Sequence, residues 1–241
     1  FAKEPPDRER HSLKELLKCL IEKDGWSFNL IYIITFGGFI GLANFLPTFF
    51  YDQFHVTKVQ AGQLTMLAAV MGSGIRILGG YVSDRIGGIN SLTAVFVVII
   101  AMMLFGATLP TLATTTIMFM LCFAALGAGN GALFQLVPLR WPTTTAVAGS
   151  MIGEIGALGG AFIPNAMGLS KQYTGTFAYG FIAFAILAVA VLIMLRIVQR
   201  KWTTSWVAKG GKALMNHPRR FMIQSAEEYE MLQRQGRFYG V

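Results

Sequence analysis

The chain has 241 residues, of which 54% are hydrophobic and only 13% are charged, whereas soluble domains usually carry about a quarter charged residues. This composition excludes an ordinary soluble protein and predicts an all-α integral membrane protein. The formal net charge of +8 would suggest nucleic acid binding in a soluble chain, but here the positions of the basic residues decide its meaning.

Residues 1–27 are polar and mixed in charge. Within them, 12–23 (SLKELLKCLIEK) has apolar residues at helical spacing, with Ser12 and Glu15 placed as a capping box. We therefore expect 1–27 to be a cytoplasmic linker that contains a short amphipathic helix on the membrane surface.

Six apolar segments follow, and each is long enough to cross a hydrocarbon core of about 30 Å as a helix. They form a predicted transmembrane domain over 28–198, and the polar, basic residues 199–241 form a predicted cytoplasmic tail. The segments are 28–50, 61–83, 91–110, 115–138, 145–168 and 177–198.

Basic residues concentrate on one side of this arrangement, which predicts the orientation. That side has Lys3, Arg8, Arg10, Lys14, Lys18, Lys23, Arg85, Arg140, Arg196, Arg200, Lys201, Lys209 and Lys212, and the other has only Lys58 and Lys171. Both termini are therefore predicted to be cytoplasmic, in an inner (cell) membrane. The positive charge is a topology signal for a lipid bilayer, and we expect no nucleic acid partner.

The second segment (MGSGIRILGGYVSDRIGG from residue 71) contains Arg76 in an otherwise apolar, glycine-rich helix. It lies about 12 Å along the helix from Asp84, close to the bilayer midplane. A guanidinium there is costly unless it faces water, a counter-ion or a ligand. Snorkelling to the interface is the alternative; we favour an arginine that faces a cavity.

Glu154 is the other charge near the middle of a predicted span. It could pair with Arg76, bind a proton, or remain a neutral, hydrogen-bonded acid, and the sequence leaves these open. The surrounding helix has small residues at three- and four-residue spacing, at Gly149, Gly153, Gly156, Gly159 and Gly160. Such spacing favours close helix packing, and a sharper hypothesis is a surface on which helices slide.

The fourth segment (LGAGNGALFQLVP) is a similar stretch, with Gly127, Gly129 and Gly131. It also contains Asn130 and Gln135, whose amides we expect to bond a neighbouring helix, with Asn130 as a possible polar coupling residue. Tyr32 and Phe36 lie one turn apart in the first segment.

The histidines have no metal-ligand spacing, and no nucleophile–base pair is visible. We therefore expect neither an enzyme nor a cofactor or metal.

GGYVSDRIGG (79–88) resembles the loop motif of the major facilitator superfamily, with Gly80, Asp84, Arg85 and Gly87 at the motif positions. In that family the motif joins the second and third helices of each six-helix half. The resemblance implies a cytoplasmic loop that acts on conformational balance without touching substrate.

Within the superfamily the chain is similar to the nitrate/nitrite porters, on four stretches in order: LIYIITFGGFIGLANFLPTFF, MGSGIRILGGYVSDRIGG, AALGAGNGALFQLVP and GEIGALGGAFIPNAMG. The resemblance covers about 26–200. It implies the C-terminal half of a twelve-helix fold whose N-terminal six-helix half is a partner in the same or another chain.

For the site, the resemblance implies that Arg76 holds a nitrate or nitrite anion and that Tyr32 and Phe36 line the same site. The glycines of 149–160 would form a signature that permits helix sliding, with Gly156 also at the substrate. The alternatives are a transporter of another small anion, or a membrane scaffold or sensor acting through its basic tail.

Overall fold

The computed structural model describes residues 22–142 and 144–207. Six helices in these ranges are long and apolar enough to cross a membrane, which confirms the predicted all-α membrane fold. They are α1 (Lys23–Phe54), α2 (Lys58–Ile86), α3 (Gly88–Gly106), α4 (Leu112–Arg140), α5 (Thr145–Thr174) and α6 (Ala178–Ser205). The predicted amphipathic helix, up to residue 21, and the tail from 208 onward lie outside the described residues.

Five of the six described helices are longer than the apolar segments that predicted them. The exception is α3, which begins at Gly88 rather than at 91 and ends at Gly106 rather than at 110. α1 begins at Lys23 rather than at 28, and α6 ends at Ser205 rather than at 198. Apolar composition reports only the part of a helix inside the hydrocarbon core. Polar residues at the ends continue the helix because its backbone hydrogen bonds are internal.

α1 is interrupted by a π-helical turn over Ile33–Gly37. π turns inside α-helices occur frequently at functional sites. Tyr32 directly precedes the turn and Phe36 lies within it, so the irregularity falls at the two aromatic residues singled out in the sequence.

Close helix contacts set the packing. α2 packs along α4, α3 packs against α4 and α6, and α1 contacts both α2 and α5. Glycines bring the backbones of α2 and α4 together: a Cβ added to Gly127 would lie 1.9 Å from the carbonyl oxygen of Gly72. Because α1 lies between α2 and α5, its side chains can reach both.

At the end where α1 begins and α6 ends, a charged and aromatic cluster ties three helices together. Arg140 Nε donates to Asp24 Oδ2 at 2.8 Å, and Trp202 Nε1 donates to Asp24 Oδ1 at 3.0 Å. The Phe28 ring packs against Trp141 and Trp202, with centroids 5.0 and 5.1 Å away. Asp24, which the sequence placed in the linker, is therefore a buried residue of the first helix that joins α1 to α4 and α6.

Candidate functional site

Arg76 on α2 and Tyr32 on α1 meet across the interface of their helices. Arg76 Nη2 donates to Tyr32 Oη at 3.1 Å, and the guanidinium carbon lies 5.7 Å from the centroid of the Phe36 ring. The contact joins residues 44 positions apart in the chain. The fold thus brings together the three side chains that the sequence assigned to one site.

The two aromatic rings form a flat pair. Tyr32 and Phe36 stack with centroids 4.9 Å apart and an interplanar angle of 13°. Tyr32 is almost fully buried, whereas Phe36 is half-buried and Arg76 is exposed. The guanidinium is therefore the accessible part of the group, and the tyrosine below it is fixed by packing.

Gly156 on α5 supports the Tyr32 ring from the other side. A Cβ at Gly156 would lie 2.3 Å from Tyr32 Cδ1, far inside van der Waals contact. Only a residue without a side chain allows the ring to lie in this place. The geometry thus makes Gly156 a support for the tyrosine.

Phe134 on α4 also packs against Tyr32, although the sequence did not identify Phe134 as a residue of the site. The rings are perpendicular, at 90°, with centroids 5.4 Å apart. Phe134 lies four residues after Asn130, hence on the same helical face. That spacing is the signal that could have identified it.

Gly131 on α4 fixes the backbone of α2 at the arginine. A Cβ there would lie 2.3 Å from the Arg76 carbonyl oxygen and 2.6 Å from the Gly80 nitrogen. These contacts are to backbone atoms, which cannot rotate away. The sequence indicated Gly131 only as one of several packing glycines, and a single helix pattern does not show which backbone it meets.

The site lies near the middle of the helices that form it. Counted along each helix at about 1.5 Å per residue, Arg76, Phe36 and Gly156 lie within roughly 4 to 6 Å of their helix centres, and Tyr32 about 10 Å from its own. Arg76 thus lies near the middle of its helix, and its depth at the bilayer midplane stays a prediction.

Glu154 is exposed on α5 and forms no ion pair with Arg76. The structure therefore does not support the ion-pair interpretation of Glu154, and the proton-binding and neutral-acid interpretations stay predictions.

Asn130 is buried, and its Oδ1 has no hydrogen-bond partner among the described residues. Gln135 behaves as predicted for an amide, since its Oε1 accepts from the Gly88 nitrogen of α3 at 3.2 Å.

The other glycines of the predicted signature differ in their surroundings. A Cβ at Gly159 would lie 2.8 Å from the Ile33 carbonyl oxygen, and one at Gly160 would lie 2.8 Å from Ile40. At Gly149 the nearest atom would be 3.3 Å away, in Phe134, and Gly153 faces open space. Gly159 and Gly160 thus line the close contact between α1 and α5, which is the packing role that the spacing predicted.

The loop motif ends α2 and begins α3. Gly87 has a φ of 90°, a backbone conformation that favours glycine, and it ends one helix and precedes the next. Gly80 is half-buried, while Asp84 and Arg85 are exposed. The Arg85 guanidinium lies 4.3 Å from the Tyr81 ring, and Asp84 forms no ion pair within the described ranges.

The arrangement has the chemical groups that could bind a small anion. No carboxylate pairs with Arg76 in the part of the chain that the structure describes, so its positive charge is uncompensated. A planar guanidinium offers parallel N–H donors to two oxygens of one anion. The half-buried Phe36 ring beside it provides a flat apolar surface, which suits a planar, weakly hydrated anion.

Comparison with known proteins gives a family match over residues 1–170, to the model described as the Major Facilitator Superfamily. Three relatives illustrate the similarity. A nitrite extrusion protein from Bacillus subtilis (strain 168) is 29% identical over 169 residues, which are 70% of this chain and 43% of the relative. A probable nitrate transporter, NarT, from Staphylococcus epidermidis is 30% identical over 177 residues, or 72% of this chain and 45% of the relative.

The nitrate/nitrite transporter NarU from Escherichia coli (strain K12) is 30% identical over 196 residues, or 69% of this chain and 42% of the relative. These matches confirm the resemblance to nitrate/nitrite porters that the sequence motifs indicated. The chain spans less than half the length of each of these relatives.

Proposed function

The chain belongs to the major facilitator superfamily, and on that premise we propose that it forms the C-terminal half of a transporter for nitrate, nitrite or both. Its six membrane-length helices are half of the family's twelve-helix fold. The observation that carries the proposal is the 3.1 Å contact of Arg76 with Tyr32 beside the Phe36 ring.

The anion is bound through Arg76. Two N–H groups of the guanidinium donate to two oxygens of nitrate, the Tyr32 hydroxyl holds the guanidinium in place, and Phe36 covers one face of the anion. Lysine would supply the charge without the planar pair of donors. The names of the relatives, which include nitrate and nitrite transporters, support this substrate class.

Transport proceeds by alternating access between two six-helix halves. Transporters built from repeats place the substrate at their interface near the bilayer midplane. Arg76 and Glu154 are exposed near the middle of α2 and α5, which suits an interface with an N-terminal half. The glycine contacts of α5 with α1 provide the sliding surface, and Asp84 and Arg85 bias the conformational balance at the loop.

The remaining predictions belong to the same proposal. The protein lies in the inner membrane with both termini in the cytoplasm, as the distribution of basic residues favours. In the part of the chain that the structure describes, Glu154 is exposed and forms no ion pair, and the Asn130 Oδ1 atom has no hydrogen-bond partner. These are the groups proposed for proton or polar coupling.

The test is uptake of labelled nitrate by the full-length protein with Arg76→Lys. Loss of a charge-assisted hydrogen bond of about 3 kcal/mol predicts a decrease on the order of 100-fold, with normal amounts of protein in the membrane. Lys171→Arg, an exchange of cations near the end of α5 and away from the site, is the matched control and should leave uptake unchanged.

Normal nitrate uptake by Arg76→Lys would remove Arg76 from the site. Competition separates the substrates: excess nitrite should reduce uptake of labelled nitrate. Stronger competition by a small organic carboxylate than by nitrite would indicate a transporter for another anion.

A further inference from the structure

A groove runs along the outside of the bundle between α3 and α6. Its volume is about 620 Å³, and it is open to the surroundings of the helices. Its lining includes Thr93 and Val97 from α3, and Ile193, Arg196, Ile197 and Arg200 from α6. The groove is separate from the Arg76 site, because the lining residues lie on α3 and α6 and Arg76 lies on α2.

The α6 wall is a single helical stripe. Residues 193, 196, 197 and 200 are spaced by three, four and seven positions, which places them on one face. Thr93 and Val97 are likewise four positions apart on α3. The groove therefore has an apolar part, formed by Val97, Ile193 and Ile197, and a basic end, formed by Arg196 and Arg200.

The basic end lies at the border of the hydrocarbon core. Residues 178–195 contain no charged side chain, and at about 1.5 Å per residue they span roughly 27 Å, close to a hydrocarbon thickness of about 30 Å. Arg196 is the first residue beyond this run, and Arg200 lies one turn further. Both guanidinium groups therefore reach the level of lipid headgroups.

Within residues 22–142 and 144–207, neither arginine forms an ion pair, and Arg196 Nη1 donates to the Gln199 side chain at 2.7 Å. Like charges four residues apart on a helix repel each other. An anion held between them would remove this repulsion.

From this geometry we propose that the groove binds an anionic phospholipid. Its phosphate contacts Arg196 and Arg200, and one acyl chain lies along Val97, Ile193 and Ile197. Basic pockets between membrane helices recognise anionic headgroups in this way. A free phosphate would not use the apolar walls, so the occupant is a lipid. The inference does not depend on the proposed transport function.

The experiment is native mass spectrometry of the purified full-length protein in neutral detergent with added phosphatidylglycerol. Phosphatidylcholine tests the headgroup, and inorganic phosphate tests the free anion. The double variant Arg196→Gln/Arg200→Gln should bind phosphatidylglycerol about 25-fold more weakly, from about fivefold per arginine. Lys58→Gln/Lys171→Gln removes the same charge at the opposite end of the bundle and should not change binding.

A second variant, Val97→Trp, fills the groove and keeps both arginines. Val97 is 54% exposed, so the larger side chain can be accommodated without disturbing the core. It should also weaken phosphatidylglycerol binding, which attraction of lipid by surface charge alone would not explain. Equal retention of the two lipids, an unchanged double variant, or full binding by Val97→Trp would overturn the proposal. Displacement of the lipid by inorganic phosphate at equal concentration would overturn it too.

Discussion

Two faces of the bundle have opposite characters. The exposed sides of α2 and α5, which we call the α2/α5 face, belong to the two least hydrophobic spans, and the exposed sides of α3 and α6, the α3/α6 face, belong to the two most hydrophobic. Arg76 and Glu154 are exposed on the first, whereas the second exposes mainly apolar side chains such as Val97 and Ile186. A membrane-length helix with exposed mid-span charges requires a protein or aqueous neighbour.

The difference shows how one fold can present one face to protein or water and the other face to lipid. Tyr32 touches Arg76 on α2 and lies against Gly156 on α5, so the α2/α5 face is organised by contacts made through α1. Among the described residues, the α3/α6 face has no such central residue. Its Arg196 and Arg200 lie where the hydrocarbon ends, which suits contact with lipid.

The largest effect is predicted for Gly156→Val, which breaks the organisation of the α2/α5 face. The new side chain would overlap the Tyr32 ring, where even a Cβ would come within 2.3 Å. Displacing a positioning group by about 1 Å can reduce rates about 100-fold, so we expect a loss of this order in nitrate uptake with the protein still in the membrane.

Gly168→Val provides the control on the same helix, because a Cβ at Gly168 would meet nothing within 4 Å. Uptake should stay close to normal in this variant. Equal losses in both variants would mean that valine harms α5 generally, and normal uptake in Gly156→Val would show that the Tyr32 position is unimportant.

The sequence predicted the helices and the charged residue of the α2/α5 face, but it did not predict the contacts between helices that hold them in place. Apolar length located the six helices, and the depth of Arg76 marked a functional charge. Tyr32 and Phe36 joined the site through the family resemblance, since aromatic residues one turn apart usually indicate packing. Phe134 was missed, and the contact of Gly131 with the α2 backbone was not predicted, because a pattern within one helix does not tell which residue of another helix it meets.

Asp24 and the groove between α3 and α6 were missed for a related reason. A polar residue before an apolar run reads as linker until its buried partners, Arg140 and Trp202, are known. The groove is a gap between two helices, and its shape depends on how α3 and α6 pack. Both features are relations between distant segments, which one sequence by itself does not reveal.

A smaller effect is predicted for Asp24→Asn, which weakens the connection between the two faces. Asp24 is 7% exposed and joins α1, which carries Tyr32, to Arg140 of α4 and Trp202 of α6. Asparagine can still accept from Trp202 but loses the charge that pairs with Arg140. We expect a loss of about 2 kcal/mol, measured as a decrease in Tm of roughly 5 °C.

The control is Asp52→Asn, an exposed carboxylate on α1 at the other end that pairs with no cation in the described ranges. Its Tm should be unchanged. If the two variants lost equal stability, the Asp24 cluster would have no special role in holding α1 to α4 and α6.

The smallest effect is predicted for Ile186→Ala on the α3/α6 face. Ile186 is 64% exposed, so the change removes contacts with lipid and leaves the core intact. We expect a change of at most about 0.5 kcal/mol and normal nitrate uptake. Leu195→Ala on the same helix removes a fully buried side chain and should cost about 2 kcal/mol or more. A Tm for Ile186→Ala as low as that for Leu195→Ala would mean that Ile186 packs against protein, and the α3/α6 face would then not be a lipid-facing surface.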